Sequence, residues 1–233
     1  MIPIYLKTAD QSEPAHPTYY LLAGNGVFVV KKTALFSSVT AAKAVVGLDE
    51  QSLALTLSVP RLPRHLVERI YGFFQFVYER LAGEAIVFIY YSPDRCEFHL
   101  DAPPQRLTRY RTHGGWRTEG KVKYGSLRRP KGFLKLGDAH SHGDSPAFFS
   151  SDDDRDDGED GLRVVIGNLD RRRPEVRASF IANRTRFPLY VTEALEDFET
   201  PLPPPQAWLR RVTCKYEDAG RRVKPNGDAY EQH

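Results

Sequence analysis

The chain has 233 residues, of which 41% are hydrophobic, 12% aromatic and 27% charged. That balance excludes a disordered or fibrous chain and leaves room for one large domain, or one ordinary domain with extensions. The net charge of +3, from 33 basic and 30 acidic residues, is too slight to declare a polyanion partner, and the longest apolar run, Ala85 to Tyr91, is far shorter than the ~20 residues of a membrane-spanning helix. Met1-Ile2-Pro3-Ile4 is not a basic segment leading into an apolar stretch, and two cysteines, Cys96 and Cys214, cannot build a disulfide framework. The expectation is a cytoplasmic protein with no secretion signal.

Residues 1 to about 50 read as a β-rich extension. Tyr19-Tyr20-Leu21-Leu22 and Val27-Phe28-Val29-Val30 flank Ala23-Gly24-Asn25-Gly26, whose glycines and asparagine tolerate the positive φ of a tight turn. Leu53, Leu55, Leu57 and Val59 alternate with polar or small residues, which predicts a strand over Ser52 to Val59, ended by Pro60. A helix is predicted from about Pro63, with Leu66, Ile70, Phe73, Phe74, Val77 and Leu81 on one stripe and Gly83 as its stop. Ala85 to Tyr91 then reads as a strand buried on both faces, which puts Glu84 at its mouth.

From Arg106 to Lys135 ten Lys or Arg accompany one acid, Glu119, in a stretch read as strands and loops. Gly132 to His142 reads as a further strand, and Leu162–Gly167 and Val176–Ala182 as two more, joined by a polar turn. Between them, seven of the nine residues from Asp152 to Asp160 are acidic. Leu202-Pro203-Pro204-Pro205 is expected to bend the chain away from the core, so that residues 193–233 form a Pro-rich polar tail, loosely held from Arg210 onward.

One segment gathers metal-ligand residue types densely: His140-Ser141-His142, seven further residues, then Ser150-Ser151-Asp152-Asp153. Residues two apart on a strand share a face, so both imidazoles can reach one ion while Ser141 points away. The loop from Gly143 to Phe149 can turn the chain back, and Ser150 or Ser151 can cap a short helix that carries Asp153 toward the same ion. Two neutral histidines and one carboxylate leave the fourth position of a tetrahedral zinc site open for water, as in catalytic sites.

This pattern resembles the JAMM (JAB/MPN-type) zinc metallopeptidases, whose signature is a distant Glu followed by His-x-His-x7-Ser-x2-Asp; His140, His142, Ser150 and Asp153 satisfy the spacing, and Glu84 stands where the family's Glu stands. Gly143 replaces the proline that usually follows the second histidine, a departure that bears on the shape of the loop. The resemblance covers about Ser52 to Thr192. It implies an α/β fold of the cytidine-deaminase-like kind, a mixed β-sheet flanked by helices, over residues 52–192. It also implies Zn2+ held by His140, His142 and Asp153, with Glu84 as general base and acid and Ser150 as donor to the oxyanion. More narrowly, Asp138 to Gly143 with Pro146 to Ser151 is similar to the A proteins of the PRTRC cassette, a bacterial plasmid and mobile-element gene set. That likeness implies a small ubiquitin-like protein and its conjugates as substrate, and a ThiF/E1-like neighbour.

Blander readings stand beside these. His16, His65, His99, His113 and His233 read as surface or satisfied core residues, and Glu84 after a helix-ending glycine fits a solvated turn. Asp152, Asp154, Asp156 and Asp157 read as a solvated face, and spacing alone selects Asp153. Two other function classes stay open: a catalytically silent metal-binding scaffold, and a nucleic-acid-binding accessory protein using the basic stretch with its interleaved Tyr110, Trp116 and Tyr124.

Overall fold

The N-terminal segment forms a four-stranded sheet of β1 (Ile4–Leu6), β2 (Thr18–Ala23), β3 (Gly26–Lys32) and β4 (Ser37–Ala41), paired in that order. Gly24 and Asn25 make the two-residue loop between β2 and β3, as the turn residues predict, because Ala23 pairs directly with Gly26. The computed structural model describes residues 2–10, 12, 14–113, 115–119, 122–149 and 159–218. It divides into two compact units, Met1–Leu55 and Thr56–His233. Within the first unit Tyr19, Tyr20 and Val30 are buried, and the Tyr20 hydroxyl accepts the N–H of Val46 at 3.0 Å.

In the second unit α1 (Arg64–Leu81) follows Pro63, which occupies the N-cap position with extended backbone. Its apolar stripe is as periodic as predicted: Ile70, Phe73, Phe74 and Val77 are buried, and Leu66 and Leu81 are half-buried against the same core. The helix stops one residue earlier than Gly83 suggests. Ala82 takes the left-handed conformation, φ 47°, and donates its N–H to the Tyr78 carbonyl, while Gly83 lies where a Cβ would stand 2.9 Å from Thr118 Cγ2. The glycine there serves close approach, and the Thr118 hydroxyl binds the Leu81 carbonyl at the helix end.

A six-stranded mixed sheet carries the core: β5 (Ile86–Ser92), β6 (Glu97–Asp101), β10 (Leu134–Ser141), β11 (Gly161–Gly167), β12 (Glu175–Ala182) and β13 (Thr185–Leu189), in the order β13-β12-β11-β10-β5-β6. β10 and β11 are parallel and the other pairs antiparallel. Every residue of β5 is buried, as its unbroken apolar run requires of a strand with neighbours on both edges and cover on both faces. The basic stretch supplies β7 (Gln105–Thr112), β8 (Gly115–Thr118) and β9 (Lys123–Tyr124), which form a smaller sheet. α2 (Val191–Ala194) and α3 (Gln206–Leu209) are short, so among its described residues this α/β unit is rich in sheet and poor in helix. No helix among the described residues is long and apolar enough to cross a membrane.

Two expectations are corrected. Ser52 to Val59 is not a strand; only its alternation survives, in the half-buried Leu55, Leu57 and Val59, while Leu53 is 79% exposed. Leu57 and Val59 lie over Phe98, Leu136, Leu162 and Phe180, so the period of two records one covered face of an extended segment without lateral pairing. Nor does the chain leave the core at Leu202. The Leu202 N–H binds the Glu68 carbonyl of α1, Trp208 is 4% exposed with its ring 5.5 Å from Phe73, and β14 (Val212–Asp218) pairs in parallel with β7 along its whole length. Arg211 fastens this return, donating at 2.7 Å to both the Asp101 carboxylate and the Ala102 carbonyl.

Candidate functional site

The last residues of β10 and the head of β5 meet through one small side chain. Ser141 is 0% exposed; its Oγ accepts the Ala85 N–H at 2.9 Å and its own N–H donates to the Ala85 carbonyl at 2.9 Å. On the next peptide, Gln105 of β7 holds Ile86 at both groups, accepting its N–H at 2.9 Å and donating to its carbonyl at 2.8 Å. The antiparallel register His140↔Ile86, extended by the Ser141–Ala85 pair, brings the chain at Glu84 back alongside the end of β10. Glu84 is half-buried there, and it shares a cleft of about 670 Å³ with His140 and Asp138.

Ser141 points away from the ligand face, as alternation demands, and the two imidazoles flanking it lie side by side with ring centroids 5.2 Å apart. The His142 Nδ1 lies 3.2 Å from the Pro146 carbonyl oxygen. A carbonyl only accepts, so this contact is one that a ring with hydrogen on Nδ1 makes. Phe148 packs edge-on against the His142 ring at 4.6 Å. Among the described residues, Oδ1 of Asp138 lies 4.0 Å from Nδ1 of His140.

The loop that carries Pro146 is folded by two glycines. Gly143 has φ 58°, a conformation closed to the proline that the resembled family usually carries after its second histidine. The Ser145 N–H then returns to the His142 carbonyl, and Leu169 N–H to the Gly143 carbonyl. Gly167, at the end of β11, lets this loop settle on the strand: a Cβ there would stand 2.3 Å from the Ser145 oxygen and 2.6 Å from the Ala147 nitrogen.

Ile86, Phe88 and Tyr90 of β5 line the cleft together with Tyr124 and Leu127 of the basic stretch. Phe88 and Tyr124 meet edge to face at 5.8 Å, and Lys135 sits 4.7 Å over the Phe88 ring while bonding Glu159 at 2.6 Å. The hydrogen bond from Lys135 holds the Glu159 carboxyl below the ordinary glutamate range. Arg163 and Asp138 form a second charge pair at 3.5 Å.

Of the residues singled out by spacing, Glu84, His140 and His142 come together. Ser150 and Asp153 lie outside the described residues, as do Asp152, Asp154, Asp156 and Asp157. Among the described residues no group of three or more His, Cys, Asp or Glu is arranged to hold a metal ion. The donor set that is described fits zinc: two imidazoles side by side, with Nδ1 of His142 beside a carbonyl oxygen, the usual support of a zinc-bound histidine. Spacing gave no sign of Ser141, Gln105, Asp138 or Arg163, whose roles arise from pairings between distant segments.

No curated protein matches the chain. Among solved structures, a protein from Desulfitobacterium hafniense is similar at 12% identity and a TM-score of 0.32, over 68% of this chain and 96% of that one. A protein from Salinibacter ruber is similar at 16% identity and a TM-score of 0.31, over 60% and 90%. Residues 76–182, from the last turns of α1 to the end of β12, match the family of prokaryotic homologs of the JAB domain, which supports the JAB family for this part of the chain.

Proposed function

We propose that this protein is a zinc-dependent peptidase of the JAMM type, hydrolysing a peptide or isopeptide bond at the C-terminal tail of a small ubiquitin-like protein. The observation that supports the reading is the Ser141–Ala85 pair, which ties the head of β5 to the end of β10 where Glu84 and His140 line one cleft. His140, His142 and Asp153 would hold the ion, which would supply Lewis acidity at the cleft when bound. Glu84 takes one proton from the attacking water and returns it to the leaving amine as the C–N bond breaks. Ser150 donates a hydrogen bond to the developing oxyanion. The floor of Ile86, Phe88 and Tyr90 receives the extended tail of the substrate and excludes water from its apolar side chains. In this reading the six-stranded sheet has the cytidine-deaminase-like arrangement, the N-terminal sheet is an extension, and the chain works in a PRTRC-type cassette beside a ThiF/E1-like protein.

Elemental analysis of the purified chain and of its His140→Ala variant tests the metal; stoichiometric zinc in the first and its loss in the second are expected. Glu84→Gln should keep zinc and lose cleavage of ubiquitin-like fusions. A chain that carries no zinc, takes none up and cleaves no such fusion overturns the proposal.

A further inference from the structure

Among the described residues, a carboxylate close to His140 is paired with a buried guanidinium. Asp138 and His140 are two apart on β10 and share a face, and across the parallel pair Asp138 is in register with Arg163 of β11. Arg163 is 8% exposed; it donates to the Glu159 carbonyl at 2.7 Å and to its own strand at the Leu162 carbonyl, 3.3 Å, and lies 3.5 Å from Oδ2 of Asp138. The other oxygen, Oδ1, is the one that faces Nδ1 of His140, at 4.0 Å. That distance exceeds a hydrogen bond, so the carboxylate acts on the imidazole across it by electrostatics.

We infer that Asp138, fixed by Arg163, is the positioning residue for His140: it selects the tautomer with hydrogen on Nδ1 and turns Nε2 toward the ion. The physical reason is that an ionised carboxylate only accepts hydrogen bonds, so Nδ1–H facing it is favoured and the lone pair of Nδ1 facing it is repelled. Arg163 matters because a carboxylate with both oxygens free to rotate would not fix a ring. The two histidines are thereby prepared by different means. His142 leans on a backbone carbonyl, and His140 on a side chain that a single substitution can change. This inference rests on the zinc-peptidase reading for its purpose, but the tautomer it predicts is a property of the metal-free chain.

The test is Asp138→Asn in the full chain. Arg163 then claims the amide oxygen and the amide NH2 faces His140, so the hydrogen of His140 moves to Nε2 and blocks the ligand atom. Nitrogen-15 NMR of the histidine rings in the metal-free protein, assigned with His140→Gln, should show hydrogen on Nδ1 of His140 in the unsubstituted chain and on Nε2 in Asp138→Asn. Zinc affinity, measured by chelator competition, should fall about 10–100-fold. A merely structural role for the Asp138–Arg163 pair would lower thermal stability while leaving both readouts unchanged, and that result overturns the inference. So does an Nε2–H tautomer in the unsubstituted protein. If the unsubstituted chain binds no zinc, the peptidase reading fails, and the His140 tautomer in the two proteins still decides for or against Asp138.

Discussion

Replacing Ser141 by alanine isolates the contact that joins β10 to the head of β5. The substitution keeps Cβ and removes one oxygen, so it opens little space, but it strips the buried Ala85 N–H of its acceptor at a position where Ser141 is 0% exposed. An unsatisfied buried donor costs about 1–3 kcal/mol. For a unit of this size, a loss near 2 kcal/mol lowers Tm by about 4–8 °C. Denaturant midpoints and amide exchange of the full chain measure both the global and the local effect. Exchange at Ala85 should quicken about 5- to 140-fold through local opening, since each 1.4 kcal/mol is tenfold. Gln105→Ala should cost more, because it orphans both the N–H and the carbonyl of Ile86. If Ser141→Ala melts within about a degree of the unsubstituted protein and Ala85 exchanges no faster, the hydrogen bond is not what holds Glu84 in register, and the argument for the site loses its foundation.

Trp208→Ala should destabilise the second unit by about 3–5 kcal/mol, read from chemical denaturation, because the ring is buried against Phe73; a loss under about 1 kcal/mol would restore the loosely held tail. Gly143→Ala, forced to φ 58°, should cost about 1–2 kcal/mol, and Gly143→Pro should cost more and change the ring signals of His142; a native-like spectrum for Gly143→Pro would contradict the loop described. Glu159 is titrated down by Lys135, so its contribution to stability is present above the unfolded carboxyl pKa and disappears as pH falls through the lower, folded value. Glu159→Gln should therefore cost up to about 1 kcal/mol at pH 7, less in high salt, and nothing once acid has protonated the carboxyl in both states; a difference that grows with acid reverses the sign and refutes the pairing.

Much of the architecture could be read along the chain where one segment settles its own structure. The Gly24-Asn25 turn, the stripe of α1 and the seven apolar residues of β5 each carry a period or a backbone requirement within a short window. The misreadings share the opposite property. Alternation over Ser52 to Val59 is what any extended segment shows when one face rests on apolar side chains, and it says nothing about lateral hydrogen bonds. Val212 to Asp218 mixes charges with apolar residues and becomes a strand because β7, about a hundred residues earlier, offers it an edge. Leu202 to Pro205 looked like an exit because proline ends regular structure; here the run lies across α1 and delivers Trp208 to the core.

The same division runs through the site. His140 and His142 were legible because spacing on one strand is local geometry. The partners that make them useful come from elsewhere: Pro146 and its carbonyl reach His142 only because Gly143 turns left-handed and Gly167 admits the loop against β11. The glycine that stands in place of the expected proline is thus tied to its surroundings, since a proline at 143 would forbid the turn that supplies the His142 Nδ1 acceptor. Ser141, which reads in sequence as a spacer between two ligands, is the residue that fixes where the upstream glutamate stands. A ligand pair declares itself through its own spacing, whereas its orientation depends on backbone oxygens and carboxylates brought in by pairings across the sheet, and these are the positions at which substitution should separate folding from metal affinity.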